Sequence, residues 1–233
     1  MEIIAYRKAT DIDIYFEAYD WVAKHIRYDV FKDGRLVCPY EPRLFGVGYM
    51  GEGKYKSVDE NGIKTKCHYT WSNMMKRCYD KKYQKEERPT YIDCTVCKEW
   101  HNFQNFAKWY EENYYEIPNE KMCLDKDILI KGNKVYSPQT CVFVPNKINV
   151  LFVVNESQRG DSLIGTAWHK RDKVYDVSCF DIYLGRTYSE YEGFLMYKKF
   201  REKVIKQVAD EYKCYIPTKL YEAMYKYEVE IND

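Results

Sequence analysis

The stretch MCLDKDILIKGNKVYSPQTCVFVPNKINVLF, residues 122–152, decides the fold at the centre of this chain. Two short apolar runs, 122–130 and 141–145, flank a segment that is rich in turn residues around Gly132. Short apolar runs bounded by such residues predict strands. From 146 to 152 the apolar residues recur at helical spacing, which predicts a helix. The predicted order is therefore strand, turn-rich loop, strand and helix.

Two helices are predicted upstream of this stretch. The first has Thr70 as its N-cap, and the second covers about 98–114. In each helix, apolar residues recur at steps of three and four, which is typical of a stripe buried in the core. These residues are Trp71, Met74, Met75 and Cys78 in the first helix, and Trp100, Phe103, Phe106, Ala107 and Tyr110 in the second.

The C-terminal part has a different pattern. Short strands are predicted near 165–168, 174–179 and 182–184. A long helix follows from Ser189 to about Tyr212, because Ser189 and Glu192 have the spacing of a capping box. Pro217 opens a last helix, which ends at about Tyr227.

Composition narrows the possible classes of protein. The chain has 233 residues, of which 17% are aromatic, so it is long enough to bury a core. Its net charge is +1, which gives no general argument for nucleic-acid binding. Any such contact must come from local patches, and residues 64–88 carry eight basic but only three acidic side chains.

The compartment follows from two further observations. No stretch approaches the roughly 20 apolar residues of a membrane span, and the first residues do not resemble a signal peptide. We therefore expect a cytoplasmic protein with reduced cysteines and no membrane partner. Cys94, Cys97 and His101 have the spacing of half a zinc site, but no second pair follows, so structural zinc is not expected.

Three segments are separated by their patterns, since no linker of useful length is present. Residues 1–63 form an N-terminal module that is aromatic and rich in turns, 64–158 form the central core, and 159–233 form the C-terminal module. The predicted fold class is α+β. It comprises a strand-loop-strand-helix unit with flanking helices, and a three-stranded antiparallel sheet packed on a helix.

The central core resembles the HNH endonuclease family, and more narrowly its phage-borne and homing-type members. The resemblance spans roughly 71–212 and depends on motifs in combination. These motifs are Trp71-x-x-Met74-x-x-Arg77-Cys78-Tyr79, Val96-Cys97-x-x-Trp100, Leu124-Asp125-Lys126-Asp127-Ile128, Gly132-Asn133-Lys134, Tyr136-Ser137-Pro138-Gln139-Thr140-Cys141 and Ile148-Asn149.

The resemblance implies a ββα finger that holds one divalent cation, Mg²⁺ or Mn²⁺, beside a phosphodiester. By position, Asp125 and Asn149 correspond to the metal ligands. Asn133 corresponds to the loop residue that orients the general base. The remaining candidate catalytic positions are Lys126 and Asp127.

Lys126 departs from the family pattern, because it stands where the general-base histidine belongs. A protonated lysine cannot accept a proton. The flanking Asp125 and Asp127 favour the charged ammonium. The expected function is therefore that of a DNA-binding protein of HNH type with weak or lost cleavage.

The C-terminal module resembles the Apetala/ethylene-response-factor type of DNA-binding domain. In that family a three-stranded sheet lies in the major groove and a helix braces it. The positions that would contact DNA are Trp168, His169, Lys170, Arg171, Lys173, Tyr175 and Arg186.

Acidic residues on these strands open a second interpretation. Asp176 and Asp181 would repel phosphate, so DNA binding through the sheet would be weak and strongly dependent on salt. The alternative function is a catalytically inactive interaction protein, an anti-defence or regulatory factor, that binds a host protein or nucleoprotein complex through tyrosine-rich surfaces.

Overall fold

The computed structural model describes residues 1–153 and 162–231. They form two compact units: Met1–Tyr114 with Lys134–Gln139, and Tyr115–Asn133 with Thr140–Asp233. Both helices and antiparallel sheets are present, which confirms the α+β class.

The contacts group 64–114 with the N-terminal segment, whereas the predicted division separates them after residue 63. The predicted boundary after residue 158 lies outside the described residues.

The elements have the following bounds. The strands are β1 Glu2–Lys8, β2 Asp11–Phe16, β3 Trp21–Ile26, β4 Thr95–Val96, β5 Met122–Asp125, β6 Val135–Tyr136, β7 Val142–Pro145, β8 Thr166–His169, β9 Val174–Cys179 and β10 Ile182–Thr187. The α-helices are α1 Tyr28–Lys32, α2 Lys66–Tyr79, α3 Lys81–Glu86, α4 Phe103–Asn113, α5 Asn146–Asn149, α6 Glu190–Tyr212 and α7 Thr218–Lys226. Throughout the described ranges, every helix is too short or too polar to span a lipid bilayer.

The first unit begins with an antiparallel meander in the order β1-β2-β3. Ile12, Ile14 and Phe16 alternate along β2 and point into a small core of their own. This meander was not predicted, although the period-two alternation that specifies it is visible in the sequence. Parallel β4 and β6 form a second, very short pair in the same unit.

The predicted start of the first helix was wrong by five residues. Thr65, not Thr70, caps α2, because its Oγ1 accepts a hydrogen bond from the backbone N–H of His68. The Thr70 hydroxyl instead donates to the carbonyl of Lys66, inside the helix. The second predicted helix also begins late: residues 98–101 form a 3₁₀ turn, and α4 starts after Asn102, whose side chain caps it.

In the second unit, β5 and β7 pair antiparallel and α5 follows directly, so the predicted order of strand, loop, strand and helix is present. The first strand was predicted to reach residue 130, but it ends at Asp125. This hairpin shares one core with the last two helices. Its buried members include Val142, Val144, Ile148, Ile205, Leu220 and Met224.

The C-terminal part of the second unit is a three-stranded antiparallel sheet, in the order β10-β9-β8, packed on α6. This part of the prediction is confirmed. Ser189 caps α6 as predicted, since its Oγ accepts from the N–H of Glu192. Gly193 lets the helix approach closely, because a Cβ there would meet the methyl group of Thr166 at 2.9 Å.

Candidate functional site

The loop after β5 is closed by the side chain of Asp125. Its Oδ1 accepts hydrogen bonds from the backbone N–H groups of Asp127, at 2.9 Å, and Ile128, at 2.8 Å. Aspartate favours such local turns because its short side chain reaches the backbone two and three residues ahead. This contact is the physical reason why β5 stops at Asp125.

The same loop brings together the other candidate catalytic residues. Lys126 is only 7% exposed. Its Nζ lies 2.8 Å from Oδ2 of Asp127. The side-chain amide of Asn133 donates to the backbone carbonyl of Lys126 at 2.7 Å. The sequence motif therefore corresponds to one continuous hydrogen-bonded loop.

The electrostatics of this loop are dominated by burial. Desolvation, together with the nearby negative charge of Asp127, raises the pKa of Asp125 to about 6. Hydrogen bonds from the loop backbone and the positive charge of Lys126 oppose this shift. Asp125 is thus an acid held in a site that favours its neutral form.

Asn149, the second proposed metal ligand, is half-buried on α5. Asp125 pairs with Val142 in the β5–β7 ladder, whereas Met122 pairs with Pro145, the residue that immediately precedes α5. Asp125 therefore lies at the end of the hairpin remote from the start of the helix. No hydrogen bond within the described residues joins Asp125 to Asn149.

As a site for a divalent cation, this arrangement is a poor fit. Carboxylate and amide oxygens are suitable ligands for Mg²⁺. However, Oδ1 of Asp125 is already used by two backbone donors, and the positive charge of Lys126 acts on the same carboxylate. We therefore derive no catalytic step through a metal ion.

The zinc-like spacing near residue 100 has another structural role. His101 Nε2 lies 3.0 Å from the carbonyl oxygen of Val96 and 3.3 Å from the hydroxyl of Tyr79. Cys94 is buried, and Cys97 is partly buried. These contacts place His101 in the packing between α2 and the β4 segment.

A different group of potential ligands, Asp11, Asp13 and His25, converges on the N-terminal meander. The guanidinium of Arg7 already bonds both carboxylates, and it holds the pKa of each at about 2. The carboxylates of this cluster are therefore already paired with a cationic side chain of the protein itself.

The C-terminal sheet separates the predicted DNA contacts into different locations. Thr166, Val177 and Thr187 face Gly193 of α6. By strand alternation, Trp168 and Tyr175, which pair with each other, lie toward this helix side at the edge of the sheet. The open face instead carries a row formed by Ala167, Asp176 and Arg186, with His169 at its end. Lys170, Arg171 and Lys173 belong to the turn between β8 and β9.

The arginines of this sheet are paired with acids. Arg186 donates to Asp176 at 2.7 Å and to Asp172 at 2.9 Å. Asp172 also accepts from Arg171 at 2.8 Å and lies 3.5 Å from His169 Nδ1. The bonds from Arg171 and the charge of His169 lower the pKa of Asp172. Sequence reasoning missed Asp172, although its position inside the basic turn was a visible signal.

The basic segment 64–88 is only partly available as a charged surface. Lys76 lies over the ring of Tyr83 at 4.4 Å, and Arg77 lies over the ring of Tyr91 at 5.4 Å. Beyond α2, the exposed cations of this segment lie on α3 or directly after it. They are Lys81, Lys82, Lys85 and Arg88.

Comparison of the chain with protein-family models, with curated proteins and with solved structures finds no match.

Proposed function

We propose that this protein binds duplex DNA and cleaves it weakly or not at all, as a descendant of phage-type HNH endonucleases. The observation that carries the proposal is the contact of 2.8 Å between Lys126 Nζ and Asp127 Oδ2. Lys126 lies in a strand-loop-strand-helix unit, and by resemblance it corresponds to the general base of the family.

The chemical argument concerns proton transfer. Hydrolysis of a phosphodiester requires a group that accepts a proton from the attacking water. An ammonium that is paired with a carboxylate has no free electron pair for this task, and the acid stabilises its charged form. The loop can therefore keep the fold of a nuclease finger while lacking its base.

A plasmid assay tests the catalytic half of this proposal. Supercoiled plasmid is incubated with the protein in Mg²⁺ and, separately, in Mn²⁺, beside an Asp125→Ala variant. We expect both proteins to leave the plasmid supercoiled. Nicking by the parent that disappears in the variant would contradict the proposal and establish an active metal-dependent nuclease.

A second candidate function is an interaction protein that binds a host or defence component. The pairing of Arg171 and Arg186 with acids favours it, because these cations are then not free for phosphate. Exposed aromatic residues favour it too: Tyr188 is 86% exposed and Tyr183 is 60% exposed. A gel shift separates the two functions, since this candidate predicts no shift of duplex DNA even at low salt.

A further inference from the structure

Three lysines form a stripe along the outer face of α6. Lys199, Lys203 and Lys206 are exposed and stand at helical steps of four and three, so they share one face. At 1.5 Å per residue they span about 10 Å of the helix. A shallow groove of about 610 Å³ runs along this face.

This face is on the opposite side of α6 from the sheet. Phe194 and Tyr197 are buried in the core beneath the sheet. At 100° per residue, Tyr197 lies about 160° around the helix from Lys199. The stripe and the open face of the sheet are therefore on opposite sides of this two-layer part of the second unit.

The acids that border the stripe are engaged elsewhere. Glu202 accepts from the backbone N–H of Val229 at 2.9 Å and pairs with Lys198 at 2.8 Å. Asp210 accepts from the hydroxyls of Tyr221 and Tyr225. In the part of the chain that the structure describes, the three lysines of the stripe have no acidic partner.

Adjacent like charges on a helix cost a few tenths of a kcal/mol per pair, and among the described residues no acid forms an ion pair with these three lysines. We propose that this stripe, Lys199, Lys203 and Lys206, is the surface that binds the phosphate backbone of duplex DNA. The inference rests on the proposed function and specifies its binding surface. It differs from the expectation of the family resemblance, which places DNA on the sheet.

Charge complementarity favours duplex DNA as the ligand of the lysine stripe. Each strand of duplex DNA presents one phosphate per about 3.4 Å of duplex axis, so a stripe of about 10 Å matches the axial rise of about three phosphates. Lysine acts on phosphate as a point charge, which suits binding without sequence readout. The expected binding is therefore insensitive to sequence and strongly dependent on salt.

The test compares three triple variants of the full chain in binding to a labelled random-sequence duplex. Lys199→Gln, Lys203→Gln and Lys206→Gln remove the charges and keep helix propensity. The corresponding three arginine substitutions keep the charges. Lys8→Gln, Lys24→Gln and Lys32→Gln remove three exposed charges from the first unit as a matched control. Circular dichroism and thermal melting check that each variant folds.

We expect the α6 glutamine variant to lose affinity on the order of tenfold to a hundredfold, and its salt slope to fall by about 2 to 3. The arginine variant and the control should bind like the parent. If the parent binds and the α6 glutamine variant binds equally well, this inference is wrong while the proposed function stands. A parent that binds no duplex, or that binds acidic polypeptide in preference to duplex, overturns both.

Discussion

The side-chain amide of Asn133 donates to the carbonyl of Lys126 at 2.7 Å, which ties the backbone of Lys126 to the far end of the loop after β5. In the proposed function, Lys126 stands where the resembled family has its general base, so this loop holds a residue that cannot accept a proton.

Lys126→His tests this interpretation by restoring a proton acceptor. A neutral imidazole accepts a proton near neutral pH, and the substitution also removes a permanent positive charge beside Asp125. Because the loop is a poor fit for a divalent cation, we expect a restored base alone to be insufficient. This variant and Lys126→Gln, which removes the charge without adding a base, should both leave supercoiled plasmid intact in Mg²⁺. Nicking by Lys126→His at least about tenfold faster than by Lys126→Gln would contradict this expectation and show that only the base is missing.

Asp125 makes stability depend on pH in a predictable direction. Its pKa is about 6 in the fold against an ordinary value of 3.8, so the ionised form is disfavoured in the native state. The resulting penalty is absent below about pH 4, grows up to about pH 6 and persists above it. Asp125→Asn keeps the Oδ1 acceptor without the charge. Its free energy of unfolding should exceed that of the parent at about pH 7.5 but not at about pH 4.

Asp125→Ala provides the matched comparison, because it removes the acceptor as well as the charge. Two backbone N–H groups of the loop then lose their partner, and we expect a loss of about 1–3 kcal/mol at about pH 4. Urea unfolding at both pH values measures these differences. If the parent and Asp125→Asn have the same free energy of unfolding at both pH values, the raised pKa of Asp125 is contradicted.

Asp172 and Asp176 test whether the sheet contributes to DNA binding. The double substitution Asp172→Asn with Asp176→Asn frees Arg186 and adds two units of net positive charge. If DNA lies on α6, on the other side of the module, affinity should rise by less than about threefold at moderate salt. A rise above about tenfold would instead place the duplex on the open face of the sheet.

Gly51 and Gly34 form a matched pair for testing close packing in the first unit. Both have φ of +66°, but a Cβ at Gly51 would lie 2.2 Å from Oδ1 of Asn102, whereas nothing lies within 4 Å at Gly34. Asn102 is the residue whose side chain caps α4. Gly34→Ala should cost only the backbone strain, about 1–2 kcal/mol. Gly51→Ala should cost at least about 1 kcal/mol more, measured by chemical unfolding; equal costs would contradict the packing.

Local patterns predicted the C-terminal elements well and the first unit poorly. Ser189 and Glu192 specify the start of α6 within four consecutive residues, so a single sequence is enough to find it. The cap of α2 was misplaced because Thr65 and Thr70 are both acceptable N-caps, and only the hydrogen bond to His68 distinguishes them. The meander was missed because only its central strand β2 alternates clearly, whereas β1 and β3 show no such pattern.

The candidate site could be predicted from the sequence only in part, for a related reason. The residues of the loop from Asp125 to Asn133 are near in sequence, so their association follows from a short motif. The pairing of Arg186 with Asp172 and Asp176 depends on strand register, which the sequence alone does not specify. Whether the lysines of the stripe on α6 form ion pairs depends in turn on what Glu202 and Asp210 bind, which the sequence alone does not show.

The most direct test of the central claim is one titration of labelled duplex with the parent protein in Mg²⁺, at about 50 and 200 mM salt, followed by a denaturing gel of the recovered strands. We expect binding that weakens steeply between the two salt concentrations, with every strand recovered intact. Absence of binding at the lower salt concentration, or strand cutting that Asp125→Ala abolishes, would contradict it.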